Sequence, residues 1–386
     1  MTDAPTITPG GAPPEQPVAR VGSRWGRFWR SPAGMLGLGV LAAMILACLG
    51  SLPYTLSSPQ GTDVARYNAG TAREGRIPPR WWPHDEVDIE RCMNAVRANP
   101  ERLAAAQDIA SEAGLTLDEA MALREGPVYR RMRELWPRFW LGSDQIGRSL
   151  LLRVLTGGGI SLVIGICAAM ISVGIGTLYG ALAGYAGGWL DSVLMRIVDV
   201  LYGLPYILLV VLIAVAVDGY TEDRIARLGV ELSAGARTRI DVITLLFAIS
   251  AVSWLTLARV VRGQVLSLKN QPFVEAARAM GAHPARVFLR HLLPNLVGPI
   301  VVYATLAVPQ AILQESFLSF LGIGIKPPLP SWGNLAADGL SELNAYRSHW
   351  WLLLFPCLLL GVTLLALNYV GEGLREAFDP KSGGRS

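Results

Sequence analysis

The residues of this chain lead to an all-α membrane protein of six transmembrane helices, with a helical extracytoplasmic insert between the first two. Three observations carry that expectation. Of 386 residues, 52% are apolar and only 17% charged, with a mean hydropathy of +0.38, whereas soluble domains run at about 45–50% apolar and about 25% charged. The apolar residues are also gathered into nearly uncharged stretches of about 20 residues, the length a helix needs to cross roughly 30 Å of hydrocarbon. The arginines lie mostly outside those stretches, where orientation in a membrane requires them. This pattern excludes a soluble enzyme, a disordered chain and a disulfide scaffold. The formal charge of +4 belongs to the same arginines, so no nucleic-acid partner is expected and membrane lipid is.

The N-terminal tail, 1–30, opens with five prolines in 1–19 (Pro5, Pro9, Pro13, Pro14, Pro17) and almost no large apolar side chains, which predicts disorder. The first apolar run, 34–52, is too long for a signal-peptide core and follows Arg20, Arg24, Arg27 and Arg30. It reads as a retained helix within a first unit at 31–56, with a cytoplasmic N-terminus. Further spans are expected at 160–186, 197–217, 242–261, 296–318 and 350–370. An even count places both termini on one side, and the short tail at 379–386 is then cytoplasmic too. Between the fourth and fifth spans, Arg262, Lys269, Arg278, Arg286 and Arg290 face one acid, Glu275, so this loop is cytoplasmic.

The segment 57–139 falls outside, with arginines and acids close to balance. Ile89, Met93 and Val96 recur at helical spacing, and apolar residues in 103–106 and 115–123 continue the pattern. Thr116 with Glu119 forms a capping-box pair. Trp81, Trp82, Trp136, Phe139 and Trp140 flank the insert, and an interfacial aromatic belt is the commoner use of such residues than ligand stacking. A shorter polar stretch, 218–241, is also placed outside. Gly176, Gly180 and Gly184 leave one face of the second span bare for close helix packing. Asp199 and Glu315 fall near predicted span ends, where a solvated or capping position is expected. Cys48, Cys167 and Cys357 lie in apolar runs, and Cys92 has no local partner.

The loop at 270–295, NQPFVEAARAMGAHPARVFLRHLLPN, is the most informative segment. Pro272, Pro284 and Pro294 each suit a first helical turn, Gly281 suits a left-handed helix terminus, and His283 precedes a proline. A helix over 272–280, a turn at 281–283, a helix over 284–293 and a fifth span beginning at Pro294 follow. Phe273, Ala276, Ala277 and Met280 form an apolar stripe at i, i+3, i+4 and i+7, with Glu275 and Arg278 off it. Such a stripe can dock on a partner or lie on headgroups; two adjacent alanines favour close contact with protein.

Glu275-Ala276-Ala277, three residues, Gly281, nine residues, His291, one residue and Leu293-Pro294 together resemble the EAA loop of bacterial ABC importer permeases. His291 stands where the usual pattern has Ile, as in the peptide branch. The stretches 141–148 (LGSDQIGR), 314–322 (QESFLSFLG), 327–333 (PPLPSWG) and 371–375 (GEGLR) are similar to the C-type permease subunit of dipeptide/oligopeptide/nickel transporters. The resemblance spans 24–56 and 139–384, leaving most of 57–138 outside. It implies a type I ABC importer permease fold over 140–378 in the bacterial inner membrane. It also implies a second homologous permease, two P-loop ATPase subunits that use ATP and Mg, and an extracytoplasmic substrate-binding protein. In that arrangement Glu275 contacts or orients the docked ATPase surface. Ala276 and Ala277 permit close approach, Gly281 fixes the turn, Pro294 opens the fifth span, and Phe273 and Met280 complete the docking face.

The chain contains no Gly-x-x-x-x-Gly-Lys-Ser/Thr, no His-Glu-x-x-His and no Gly-x-Ser-x-Gly, so a phosphate loop, a zinc-protease pair and a nucleophile elbow are absent. No catalytic residue, cofactor or metal is assigned, and ATP hydrolysis falls to partner subunits. The competing reading is a proton- or ion-coupled carrier, for which Asp199 or Glu315 would supply the ionisable group and Pro205 or Pro309 a helix break. It leaves the exposed helix at 272–280 without a purpose. Peptides, nickel and similar small solutes all remain open as cargo.

Overall fold

The computed structural model describes residues 26–59, 63–229 and 233–378; the tail expected to be disordered at 1–19 and the tail at 379–386 lie outside them. The described residues form helices with longer irregular connections at 63–85 and 135–149: α1 (Pro32–Thr55), then α2 (Glu86–Ala98), α3 (Pro100–Glu112), α4 (Leu117–Ala122) and α5 (Gly126–Glu134) in the insert. The bundle continues with α6 (Leu150–Ala186), α7 (Gly188–Tyr202), α8 (Tyr206–Leu228), α9 (Ala234–Lys269), α10 (Pro272–Ala279), α11 (Pro284–Phe320), α12 (Trp332–Ser341) and α13 (Trp351–Phe378). Five of these, α1, α6, α9, α11 and α13, are long and apolar enough to span a membrane.

The sixth apolar stretch is not the single helix expected at 197–217. It is the pair α7 and α8, bent by 91° at residues 203–205. Pro205 has no N–H to give to the preceding turn and disfavours helical backbone at Leu204, and Gly203 adds no helix propensity. Pro309, by contrast, remains inside α11. The polar stretch at 218–241 is not a separate insert either. Among its described residues α8 runs on to Leu228 and α9 starts at Ala234, with Glu222 and Arg237 paired across the gap at 2.6 Å.

The glycines set the packing at the centre. A Cβ at Gly176 would lie 2.8 Å from the Trp254 carbonyl, one at Gly180 would lie 2.2 Å from the Ala258 carbonyl, and one at Gly184 would meet Val265 and the Arg262 carbonyl. Backbone therefore meets backbone along α6 and α9, the most extensive helix contact in the molecule. Residue numbers rise together on the two helices, so they run parallel. The chain from 187 to 233 must then return once, and the bent pair supplies that crossing. Along α1 and α13 the order is opposite: Gly37 touches Ala366 and Tyr369, and Gly34 touches Gly373. A Cβ at Gly298, in the first half of α11, would lie 3.5 Å from the Phe378 ring, so residues 26 and 378 sit at the same end as the loop between α9 and α11. The insert lies at the other end of α6, whose 37 residues span about 55 Å.

The insert has its own small core of Ile89, Cys92, Met93, Val96, Ala106, Ile109, Met121 and Met132. The expected periodicity at Ile89, Met93 and Val96 lies on α2, and the Thr116–Glu119 capping box is formed. Two expected belt residues differ, and one of them, Phe139, is half-buried and packs against this core. Trp136 is only 6% exposed and belongs to this core, because Tyr129, His84 and Arg133 cover its rings. Trp81, Trp82 and Trp140 are exposed.

Candidate functional site: the short helix between α9 and α11

α10 begins at Pro272, where the missing N–H costs nothing, behind an extended Gln271. It ends in a Schellman-type closure: Ala282 N–H donates to the Ala277 carbonyl at 3.1 Å and Gly281 N–H to the Arg278 carbonyl at 2.9 Å. This closure needs a left-handed residue, and Gly281 has φ +78°. His283 is extended before Pro284, and its Nδ1 accepts from Ala285 N–H at 3.3 Å.

The prolines predict a helix that stops at 293 and a fresh start at Pro294. The structure instead carries one helix from Pro284 to Phe320, with a π turn over Phe288–Leu292. Leu293 N–H reaches back to the Phe288 carbonyl, so the wider turn absorbs the missing donor of Pro294. Asn295 Nδ2 satisfies the His291 carbonyl at 2.7 Å. Pro294 thus lies within the long helix rather than at its beginning.

The expected stripe divides between two sides of α10. Ala277 is 2% exposed and, with Val274 at 0%, packs against Val287, Leu292, Leu268, Phe288 and Tyr185. Phe273 and Met280 are 42% and 82% exposed, and Ala276, Glu275 and Arg278 lie on that uncovered side. Val274, which the stripe omitted, is the true inward anchor. Tyr185 locks the corner: its hydroxyl donates to the Pro284 carbonyl at 2.7 Å, and its own carbonyl accepts from Lys269 Nζ at 2.9 Å. α10 is therefore fastened to the ends of α6, α9 and α11 on one side and open on the other. Glu275 makes no ion pair among the described residues.

A second feature sits where the bent pair breaks. Ser172, Tyr206, Ser253, Thr256, Gln310 and Gln314 contribute to a cavity of about 380 Å³ between α6, α8, α9 and α11. Tyr206 Oη stands 2.8 Å from Ser253 Oγ, and Gln314 Oε1 lies 3.2 Å from the same oxygen. Ser172 is 2% exposed and its hydroxyl has no partner among the described residues. Apart from tyrosine hydroxyls, no ionisable side chain lines this space. Of the lining residues, Gln314 alone belongs to a stretch that the sequence singled out, 314–322, and Pro205 marks the break beside the cavity without lining it.

Of the two candidate intramembrane acids, Asp199 is exposed on the surface of the chain and pairs with Arg259 at 2.9 Å. Glu315 is not solvated. It is fully buried, accepting from Ser319 Oγ at 2.8 Å and Ser316 Oγ at 3.3 Å, with the hydroxyls of Ser161 and Ser331 also on it. The cause is α12, which is drawn onto α11 because Gly333 has no side chain; a Cβ there would lie 1.9 Å from the Ser316 carbonyl. Trp332 completes the joint by donating from Nε1 to the Val154 carbonyl at 3.1 Å. The stretch at 141–148 is a second joint. Asp144 accepts from Arg148 Nε at 2.6 Å and Arg153 Nη1 at 2.7 Å, and Arg153 is 3% exposed.

The chain is 44% identical over 242 residues to the dipeptide transport system permease protein DppC of Bacillus subtilis, covering 63% of this chain and 68% of that protein. It is 44% identical to the oligopeptide transport system permease protein OppC of Haemophilus influenzae, covering 63% and 70%. Among solved structures, it is similar to a chain of the MetNI methionine ABC transporter in inward-facing conformations, with 18% identity and a TM-score of 0.45 over 60% of this chain and 98% of that one. The description of binding-protein-dependent transport system inner membrane components matches residues 176–383, which run from the glycine face of α6 through α10 to the end of α13. The chain belongs to the family of binding-protein-dependent transport system inner membrane components.

Proposed function

We propose that this chain is the permease subunit of an ATP-driven importer of peptides or similar small solutes in the bacterial inner membrane. With a second homologous permease it forms the transmembrane pathway, and an extracytoplasmic binding protein delivers the cargo. Two P-loop ATPases, which use ATP and Mg, drive it through the loop at 270–295. Both termini and that loop then face the cytoplasm, and 57–139 faces outward, in keeping with the arginine distribution. The names of the relatives support the cargo class.

The single observation that carries the reading is the two-sided character of α10. Its inner side, Val274 and Ala277, is buried against α11 and the end of α9. Its outer side, Phe273, Ala276 and Met280, has no covering among the described residues. Force applied to the outer side passes into α11, and Gln310 and Gln314 farther along α11 line the cavity at the helix break. A cavity walled by amides and hydroxyls can exchange hydrogen bonds with a peptide backbone while holding no charge that would trap it.

A Phe273→Glu, Met280→Glu double variant tests this. Both side chains are exposed, so the chain should accumulate and insert as wild type does, while co-purification of co-expressed ATPase subunits and ATP-dependent uptake fall at least tenfold. Undiminished ATPase recovery would overturn the docking role. The burial of Glu315 is what an ion-coupled carrier would need, yet the carboxylate is enclosed by serine hydroxyls and stands apart from the cavity lining.

A further inference from the structure

The insert lies outside the segment that matches the family, and it carries a cavity of its own. Arg80, His84, Arg130, Arg133, Trp136 and Arg138 line a space of about 300 Å³ at the C-terminal side of α5, with Glu134 the one acid on its wall. None of the four guanidinium groups pairs with a carboxylate among the described residues. Arg133 lies over the Trp136 ring at 5.8 Å, and Arg138 donates only to the Glu134 carbonyl, at 3.3 Å. Elsewhere on the insert arginines do find acids: Arg131 pairs with Glu112, Arg97 with Asp118 and Arg102 with Glu74, at 2.5–2.7 Å. Four guanidinium groups facing a single carboxyl, with which none of them pairs, leave an unmet demand for an anion.

A second observation points the same way. Trp136 is 6% exposed, yet its indole N–H has no acceptor among the described residues. A buried donor of this kind is seldom left unsatisfied, and here it belongs to a residue on the wall of a cationic cavity. His84 adds no charge near neutral pH. Burial holds its imidazole below the ordinary value, and its Nδ1 is engaged with the Trp82 carbonyl at 2.8 Å.

The height of the cavity identifies the anion. Arg80 N–H is bonded to the Phe139 carbonyl at 2.9 Å, and the next residue, Trp81, donates from its indole to the Trp140 carbonyl at 2.9 Å. Trp81 and Trp82 meet Trp350 edge to face, and Trp81 meets Phe355 in the opening turns of α13 in the same way. Trp81, Trp82 and Trp140 are exposed. Exposed indoles around the beginning of a membrane-spanning helix mark the level of the headgroups, and guanidinium groups at that level match phosphate oxygens in charge and geometry.

We propose that this cavity receives the phosphate of an anionic phospholipid headgroup and so seats the insert on the bilayer surface. The full-length chain in phosphatidylcholine nanodiscs containing a minor fraction of phosphatidylglycerol should retain phosphatidylglycerol preferentially when examined by native mass spectrometry. An Arg130→Gln, Arg133→Gln variant, altered only at exposed side chains, should lose that preference by about tenfold, while Arg97→Gln on the same insert should keep it. Trp136→Phe preserves the ring and removes the donor, and should lower retention several-fold. Isothermal titration of the solubilised chain with inorganic phosphate separates the sources of phosphate. Weak phosphate binding beside strong phosphatidylglycerol retention supports the lipid site. Phosphate binding as tight as that of the lipid would make it a soluble-anion site and overturn the proposal, as would a double variant that retains phosphatidylglycerol like wild type.

Discussion

Gly281 has a backbone conformation that other residues adopt only with strain, and nothing else about its surroundings demands glycine. Its φ is +78°, and a Cβ at this position would meet open space. The constraint is therefore conformational rather than steric, and a β-branched side chain should cost on the order of 1–3 kcal/mol there. Because the turn positions α10 and lies outside the apolar spans, Gly281→Val should insert normally but couple poorly. Membrane abundance should match wild type, with uptake and ATPase recovery falling at least tenfold. Gly361→Val, a change in α13 where an added Cβ also meets open space, serves as the control. Normal uptake by Gly281→Val with ATPase subunits assembled would refute the turn's role. The turn was legible in the sequence because a glycine three residues ahead of a proline, with a pre-proline histidine between them, leaves few alternatives. Burial within a short helix was not. Ala276 and Ala277 are indistinguishable by type, and only the tertiary partners Val287 and Leu292 decide that Ala277 turns inward. Glu315 shows the same limit, since the four serines that enclose it come from α6, α11 and the approach to α12.

Helix packing was written into the glycine spacing of α6, because a face without side chains has few uses other than close approach. The break between α7 and α8 was less legible. Proline often persists inside membrane helices when neighbours satisfy the freed carbonyl, as Pro309 does here, so Pro205 alone did not distinguish a bend from a continuous span. The seam between the insert and the bundle was not legible at all, because its ion pairs join residues more than 250 positions apart. Arg76 forms a two-point pair with Glu342 at 2.7 and 2.8 Å, and Arg347 pairs with Asp85 at 2.8 Å and with Asp88. His349 sits in this seam at 4% exposure. Its Nδ1 is 2.9 Å from Glu342 Oε2, near enough for attraction though outside hydrogen-bonding alignment. Arg91 approaches its Nε2 at 3.3 Å. Burial, opposed by Glu342 and aided by Arg91 and Arg76, holds its pKa below the ordinary 6.5. A base that binds its proton less readily when folded gives stability that is complete above the unfolded pKa and is lost as pH falls below it. Hydrogen exchange of the insert amides nearest the seam should accordingly quicken as pH drops from about 7.5 to about 5.5, after correction for intrinsic rates. Burial also raises the Asp88 carboxyl, so the diagnostic quantity is the part of the effect that His349→Gln removes. Equal pH responses in the two proteins would exclude His349 as the source.

The relative directions of α6 and α9, and of α1 and α13, follow from which glycines touch which backbones, and those directions place the two distinctive features at opposite ends. α6 and α9 both finish at the Tyr185–Lys269 corner beside α10, α11 starts there, and α13 returns there against α1. The insert, α12 and the seam at Glu342 occupy the far end. This polarity is a property of the fold alone, whereas its assignment to the two sides of a membrane rests on the arginines between α9 and α11. A labelling experiment can join the two. In a background without Cys48, Cys92, Cys167 and Cys357, one new cysteine is placed at Ser111, exposed on α3, and another, in a separate protein, at Ala285, exposed beside α10. An impermeant thiol reagent added to intact cells should modify Ser111→Cys and spare Ala285→Cys until the membrane is opened. The reverse pattern would invert the orientation and remove α10 from the reach of cytoplasmic ATPases. Modification of both in intact cells would contradict the separation of the ends itself, because residues on the two sides of a helix of about 55 Å cannot share one aqueous face while α6 spans the bilayer.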